Sequence, residues 1–193
     1  VFRILALPGV VLMPTALLAQ AAASPPRVHL TFVAESSNDS SAAEEFRQIW
    51  AANESRVVAA LERYSGRRFI TAAWADTAIT VRVLEAPAYS GYRERPIRMR
   101  SSYPPATKLA TLAHELGHRL QADLFARDEE EHEYLFLWLY DAWVALEGKA
   151  WADAQVAVER QRGERYVQAW DKALALTAEQ RAERWKAFVA LRS

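Results

Sequence analysis

Apolar and polar positions change rhythm several times along the chain, and each rhythm predicts an element. Val28, Leu30 and Phe32 alternate with His29, Thr31 and Val33, the period of a half-buried strand, before the polar run SSNDSS breaks it. From Ser41 the spacing turns helical: Phe46, Ile49, Trp50, Val57, Val58 and Leu61 share a face, and Gly66 closes the segment. This predicts a first helix packed on a sheet. Strand-type sequence returns in FITAAWA (69–75) and in AITVRVLEA (78–86), where Ile79, Val81 and Val83 alternate with Thr80, Arg82 and Leu84. After a loop carrying Pro87, Gly91 and Pro96, Ile97 and Met99 alternate with Arg98 and Arg100. Pro105 suits the first turn of a helix, and the run from there to Phe125 reads as one.

Beyond residue 130 the pattern is helical throughout. A long apolar segment, EYLFLWLYDAWVALEG, continues with a bend at Gly148 into KAWADAQVAVERQR, and Gly163 ends it. Two more helices follow, ERYVQAWDKALAL and a last one opened by Thr177 and Gln180 in capping-box spacing. The order of strand, helix, strands and then helices predicts an α+β domain: a small mixed or antiparallel sheet with a helical C-terminal half.

Composition narrows the function. At 193 residues and 51% hydrophobic, the chain is long enough for one domain with a real core. Its 24 basic and 24 acidic residues are interspersed, so no one-signed patch favours nucleic acid as a partner. The absence of cysteine removes disulfides, thiolate metal sites and thiol nucleophiles, leaving His, Asp and Glu to hold any metal. The first 23 residues differ from the rest: Arg3, an apolar stretch from Ile4 to Leu18, and small residues at Ala19, Ala21 and Ala23. They read as a secretory signal, too short and too proline-interrupted for a stable membrane span, which makes residues 24–193 an exported, periplasmic or extracellular, domain.

The chemistry is concentrated in ATLAHELGHRLQ. Residues four apart on a helix lie about 40° from each other, so His114 and His118 can grip one ion from one face. Glu115 is turned to the flank, where a carboxylate can reach a water on that ion without becoming a ligand. Leu109, Leu112, Ala113, Leu116 and Leu120 form the opposite, core-facing stripe, and the histidines are expected to look out into a cleft. Catalytic zinc takes three protein ligands and leaves one position to water, and His-Glu-x-x-His on a helix supplies two ligands and a general base.

HELGH (114–118) resembles the signature of the zincin metallopeptidases. The likeness extends to the order of elements over about residues 28–147, although only the motif is sharp. It implies a zinc-dependent peptidase acting on peptides or proteins, with His114 and His118 as Zn2+ ligands, Glu115 activating the water, and the strand IRMRS as a sheet edge that pairs with extended substrate. Gln121 and Leu124 stand where the metzincin subfamily has glycine and histidine, which excludes that branch. In the glutamate-type zincins a following helix supplies the third ligand.

That following helix offers Glu131, His132, Glu133, Asp141 and Glu147, of which His132 and Asp141 lead and Glu147 is third. Imidazole suits zinc, and His132 is preferred, though the charge run around it, RDEEEHEY, equally describes an exposed helix start. Asp141 is the alternative because a lone carboxylate within LFLWLYDAWVAL must find a metal, a histidine or an arginine. Nine helical steps separate the two by about 180°, so only one can face the ion. If it is His132, Asp141 is expected to pair elsewhere, for example with an arginine. Tyr134 and Tyr140 are possible oxyanion donors but more ordinary as packing residues. Trp138, Trp143, Trp151, Trp170 and Trp185 are expected in the core between helices, and VERQRGER is expected to be a solvated face. The competing reading is a catalytically inactive zincin-fold binding or regulatory module with a structural or vestigial metal site. A weaker one treats the motif as coincidence and predicts no metal.

Overall fold

The computed structural model describes residues 28–69, 79–90, 96–126 and 131–192. Residues 1–27, which hold the segment read as a secretory signal, and most of FITAAWA lie outside these residues. Strand β1 (Leu30–Ala34) is followed by helix α1 (Ser40–Ser65), strand β2 (Ile79–Leu84), strand β3 (Ile97–Arg100) and five further helices. These are α2 (Pro105–Gln121), α3 (His132–Glu147), α4 (Lys149–Arg160), α5 (Glu164–Leu174) and α6 (Ala178–Arg192). The chain is therefore mixed α+β and mostly helical.

The sheet runs β1-β2-β3, with both pairings parallel. This corrects the expectation of a mixed or antiparallel sheet. The reason is α1: a helix of 26 residues carries the chain from the end of β1 back to the end at which β1 began, and parallel pairing needs such a crossover. The next connection doubles back differently. Tyr89 accepts from the N–H of Arg98 (2.8 Å) and donates to its carbonyl (3.0 Å), an isolated antiparallel bridge on the side of β3 away from β2. β3 is an edge strand of the sheet, as the motif's resemblance implies, but at Arg98 its outer backbone is already paired with Tyr89.

Phe32, Ile79, Val81, Val83, Ile97 and Met99 are buried on one face of the sheet, while Thr31, Val33 and Arg82 are exposed on the other. On the buried face α1 and α2 pack through Phe46, Trp50, Val57, Leu61, Leu109, Leu112 and Leu116. Helices α3 to α6 close the far side, with Trp138, Trp143, Trp170 and Trp185 buried between them as expected and Trp151 half-buried.

Boundaries follow local chemistry. Gly66 caps α1 in the left-handed conformation (φ 66°) with its N–H on the carbonyl of Glu62 (3.0 Å). The bend at Gly148 is a full break between α3 and α4, with φ 87°. Thr177 and Gln180 form the reciprocal capping box: the Thr177 N–H donates to Gln180 Oε1 (2.9 Å) and the Gln180 N–H to Thr177 Oγ1 (3.3 Å).

Candidate metal centre

Helix α2 carries the motif through the middle of the molecule. Thr107 to Gly117 are all buried, with Arg119 to Gln121, so the helix is enclosed on nearly every side. The apolar stripe seats it on α1 and the sheet, as its spacing predicts. The histidine face does not look out of the core. It is roofed by α3, α4 and α5, and His114 is 0% exposed. The difference arises because four helices follow α2 and three of them fold back over it.

Gly117, between the two histidines, makes this close approach possible. A Cβ there would stand 2.8 Å from Leu135 Cδ1 and 3.0 Å from Trp138 Cη2, both on α3. Backbone-to-side-chain contact at that point brings the start of α3, and with it His132, against the motif. Trp138 Nε1 donates to Gln121 Oε1 (3.3 Å) and ties the same pair of helices one turn further on.

Three imidazoles meet as a result. The Nε2 atoms of His114 and His118 are 3.0 Å apart, and one ring nitrogen from each of His114, His118 and His132 falls within 4.8 Å of the others. Ring centroids are 4.8 Å apart for His114 and His118, 4.9 Å for His118 and His132, and 5.4 Å for His114 and His132. The other nitrogens of the motif pair face carboxylates. His114 Nδ1 lies 2.7 Å from Glu159 Oε1 and His118 Nδ1 lies 2.9 Å from Glu131 Oε2. Trp170 Nε1 holds the second oxygen of Glu159 (3.1 Å).

This donor set suits a transition-metal ion, and the widest nitrogen pair, up to 4.8 Å apart, must close by about 0.6 Å or more for all three to reach one ion at about 2.1 Å. Burial drives His114 well below its ordinary pKa, with the charges of His118, Arg162 and His132 adding to the effect, so its ring is neutral, as a ligand must be. The Glu131 hydrogen bond at His118 Nδ1 favours the tautomer that leaves Nε2 with a lone pair, the usual outer support of a metal-bound histidine, whereas His114 Nδ1 lies against Glu159 without an aligned hydrogen bond. Neighbouring nitrogens around a tetrahedral zinc, at about 2.0–2.1 Å, lie roughly 3.3 Å apart, close to the separation of the two Nε2 atoms.

Glu115 is 3% exposed. Burial pushes its carboxyl up to about 8, against the opposing charges of Arg162, His132 and Arg119, with Glu159 raising it further. Burial likewise raises Glu159. Arg119 donates from Nε to the carbonyl of Ser90 (2.8 Å), linking the motif helix to the segment after Tyr89.

The remaining candidates lie elsewhere. Asp141 accepts two hydrogen bonds from Arg181 of α6 (2.6 and 2.9 Å) and is not in the histidine group, which is the arginine pairing expected if His132 faces the ion. Glu147 pairs with Arg56 (2.7 Å). Tyr134 stacks on Phe188 with ring centroids 3.7 Å apart, and Tyr140 donates to Asp153 (2.7 Å).

The residues missed from sequence all come from VERQRGER and the turn beyond it. Glu159 is 3% exposed, not solvated. Arg162 donates to Thr111 Oγ1 (3.2 Å) and sits 3.8 Å from Glu159. The Tyr166 ring is 4.5 Å from that of His132, centroid to centroid, and burial pushes its hydroxyl up to about 12, so it keeps its proton. A signal was present for Glu159: Ala152, Gln155, Val156 and Glu159 follow the spacing of a buried helical stripe. No family model matches this chain, and neither a curated protein nor a solved structure matches it.

Proposed function

We propose that the protein is a zinc-dependent metallopeptidase of the zincin type. One observation carries the reading: His114, His118 and His132 present ring nitrogens within 4.8 Å of one another, with the buried carboxyl of Glu115 adjacent in the helix.

A zinc ion bound there supplies Lewis acidity and brings the pKa of water down to about 7. The chain's own groups do the rest. The Glu115 carboxylate takes a proton from the attacking water as its oxygen bonds to the peptide carbonyl carbon. It then delivers that proton to the amide nitrogen as the C–N bond breaks. Without an ion, burial keeps the proton on Glu115 up to about 8; the positive charge of a bound ion would favour the carboxylate, the form that acts as the base. Tyr166, beside His132 and protonated, offers an O–H donor to the carbonyl oxygen as it gains charge. Glu131 orients His118 through a hydrogen bond, and Glu159 places a carboxyl group against His114 Nδ1.

A second reading, a zincin-fold module with a structural metal, is favoured by the complete burial of His114. The two separate by experiment. Metal content after dialysis against sub-stoichiometric zinc is expected near one per chain and lost in His114→Ala. Glu115→Gln is expected to keep the metal and lose peptide hydrolysis. Hydrolysis that survives Glu115→Gln removes the mechanism, and absence of zinc removes both readings.

A further inference from the structure

A cleft of ≈ 470 Å³ opens beside the histidine group, between the segment after β2, the turn joining β3 to α2, and the turn joining α4 to α5. Its polar wall is made by Arg100, Tyr103, Arg162 and Tyr166, and Pro87 and Val158 contribute apolar surface. Tyr166 is shared with the metal centre, since its ring also packs against His132. Tyr103 lies between the two arginines: the guanidinium carbon is 5.5 Å from its ring centre for Arg100 and 6.0 Å for Arg162.

We infer that this cleft binds a carboxylate of the peptide substrate, the free C-terminus first, so that cleavage falls close to the end of the chain. The inference rests on the peptidase reading for the cleavage, but not for the binding. Two guanidiniums and two phenols converge on one wall, and no carboxylate lines the cleft among the described residues. Guanidinium is the side chain best shaped to hold a carboxylate with paired hydrogen bonds. Both arginines retain donors. Arg162 Nε and Arg100 Nε are buried without a hydrogen bond among the described residues, and the ion-pair partner of Arg100 there, Glu85 at 3.3 Å, is itself largely exposed.

Position supports the same occupant. Tyr166 touches His132 on one side, and on the other the guanidinium carbon of Arg162 is 5.5 Å from its ring centre. The two contacts, 4.5 and 5.5 Å, keep the Arg162 guanidinium within about 10 Å of the His132 ring, and an extended peptide advances about 3.3–3.6 Å per residue, so a carboxylate on Arg162 lies within about three residues of the histidines. The bridge of Tyr89 to Arg98 points the same way, because it occupies backbone of β3 that a long substrate strand would need.

The test compares N-acetyl-Ala-Ala-Phe as the free acid and as the amide, together with N-acetyl-Ala-Glu-Phe amide, by calorimetric titration of the whole protein with and without zinc. Free acid bound at least 10-fold tighter than the alanine amide, with the preference lost in Arg100→Gln, supports the site. Tight binding of the glutamate amide as well assigns the carboxylate to a side chain rather than the terminus and overturns the C-terminal assignment. Equal binding of acid and alanine amide, or binding of neither, overturns the site itself. Preferential binding without hydrolysis of any of the peptides leaves the carboxylate site standing and removes the peptidase reading. Arg100 is partly exposed, so its substitution is not expected to unfold the chain, and circular dichroism checks that.

Discussion

His114 Nδ1 lies 2.7 Å from Glu159 Oε1, a contact between α2 and α4 with both side chains almost wholly buried. The two atoms are close but not aligned as a hydrogen bond, so Glu159 acts on His114 through charge and packing, while Trp170 Nε1 holds its other oxygen. Removing such a partner typically costs 10–100-fold in metal affinity. Glu159→Gln is therefore expected to weaken zinc binding by about that factor while the fold persists, measured by competition with a zinc chelator.

Gly117→Ala tests the close approach of α2 and α3. The added Cβ meets Leu135 and Trp138 within 3.0 Å, and overpacking of this kind costs about 1–3 kcal/mol. Alanine's better helix propensity returns about 1 kcal/mol. A net loss of about 1 kcal/mol in urea unfolding is expected, accompanied by weaker zinc binding because α3 begins with His132.

Asp141 and His132 should respond in opposite ways. Arg181 is almost fully buried and its partner Asp141 is partly exposed, so breaking the pair with Asp141→Ala is expected to cost roughly 1–3 kcal/mol, discounted for solvent at the aspartate. Metal content is expected to stay near one. His132→Ala is expected to lose metal with a smaller effect on the metal-free protein. A reversed pattern would make Asp141 the ligand.

Stability of the metal-free protein should depend on pH in a particular window. Glu115 keeps its proton in the native state up to about 8, whereas the unfolded chain loses it near 4.5. Its contribution is thus present at low pH and lost as pH rises toward 8, at up to about 1.4 kcal/mol per pH unit. His114, held neutral when folded, works in the opposite direction only below its ordinary value of 6.5. Between pH 6.5 and 8 the wild type is expected to lose stability, and Glu115→Gln to lose less, by thermal melts in chelator.

Much of this was legible in the sequence because it is local. Two histidines four apart define a face by helical geometry alone, and the capping box at Thr177 and the breaks at Gly66, Gly148 and Gly163 depend on residues close in the chain. The parallel sheet was not legible from alternation, which is the same in either direction. The connections decide it: α1 between β1 and β2, and the returning segment that carries Tyr89 between β2 and β3. The placement of Glu159, Arg162 and Tyr166 was hidden for another reason: charged residues are normally exposed, and only the packing of α4 and α5 over α2 makes these buried partners. Asp141 was constrained more tightly, since a carboxylate in so apolar a helix needs a counter-charge, and Arg181 provides it.

The roof that α3, α4 and α5 form over the histidines ties occupancy of the centre to the history of the chain. Two of the nitrogens belong to one helix and exist as soon as it forms, but the third nitrogen and the carboxylate behind His114 arrive from helices made later in synthesis. An ion captured at the end of folding is held by contacts that the last helices complete, with His114 sealed beneath it and His132 on the partly exposed side. Exchange of the ion through that side leaves the fold intact, whereas freeing the His114 ring requires the helical half to open.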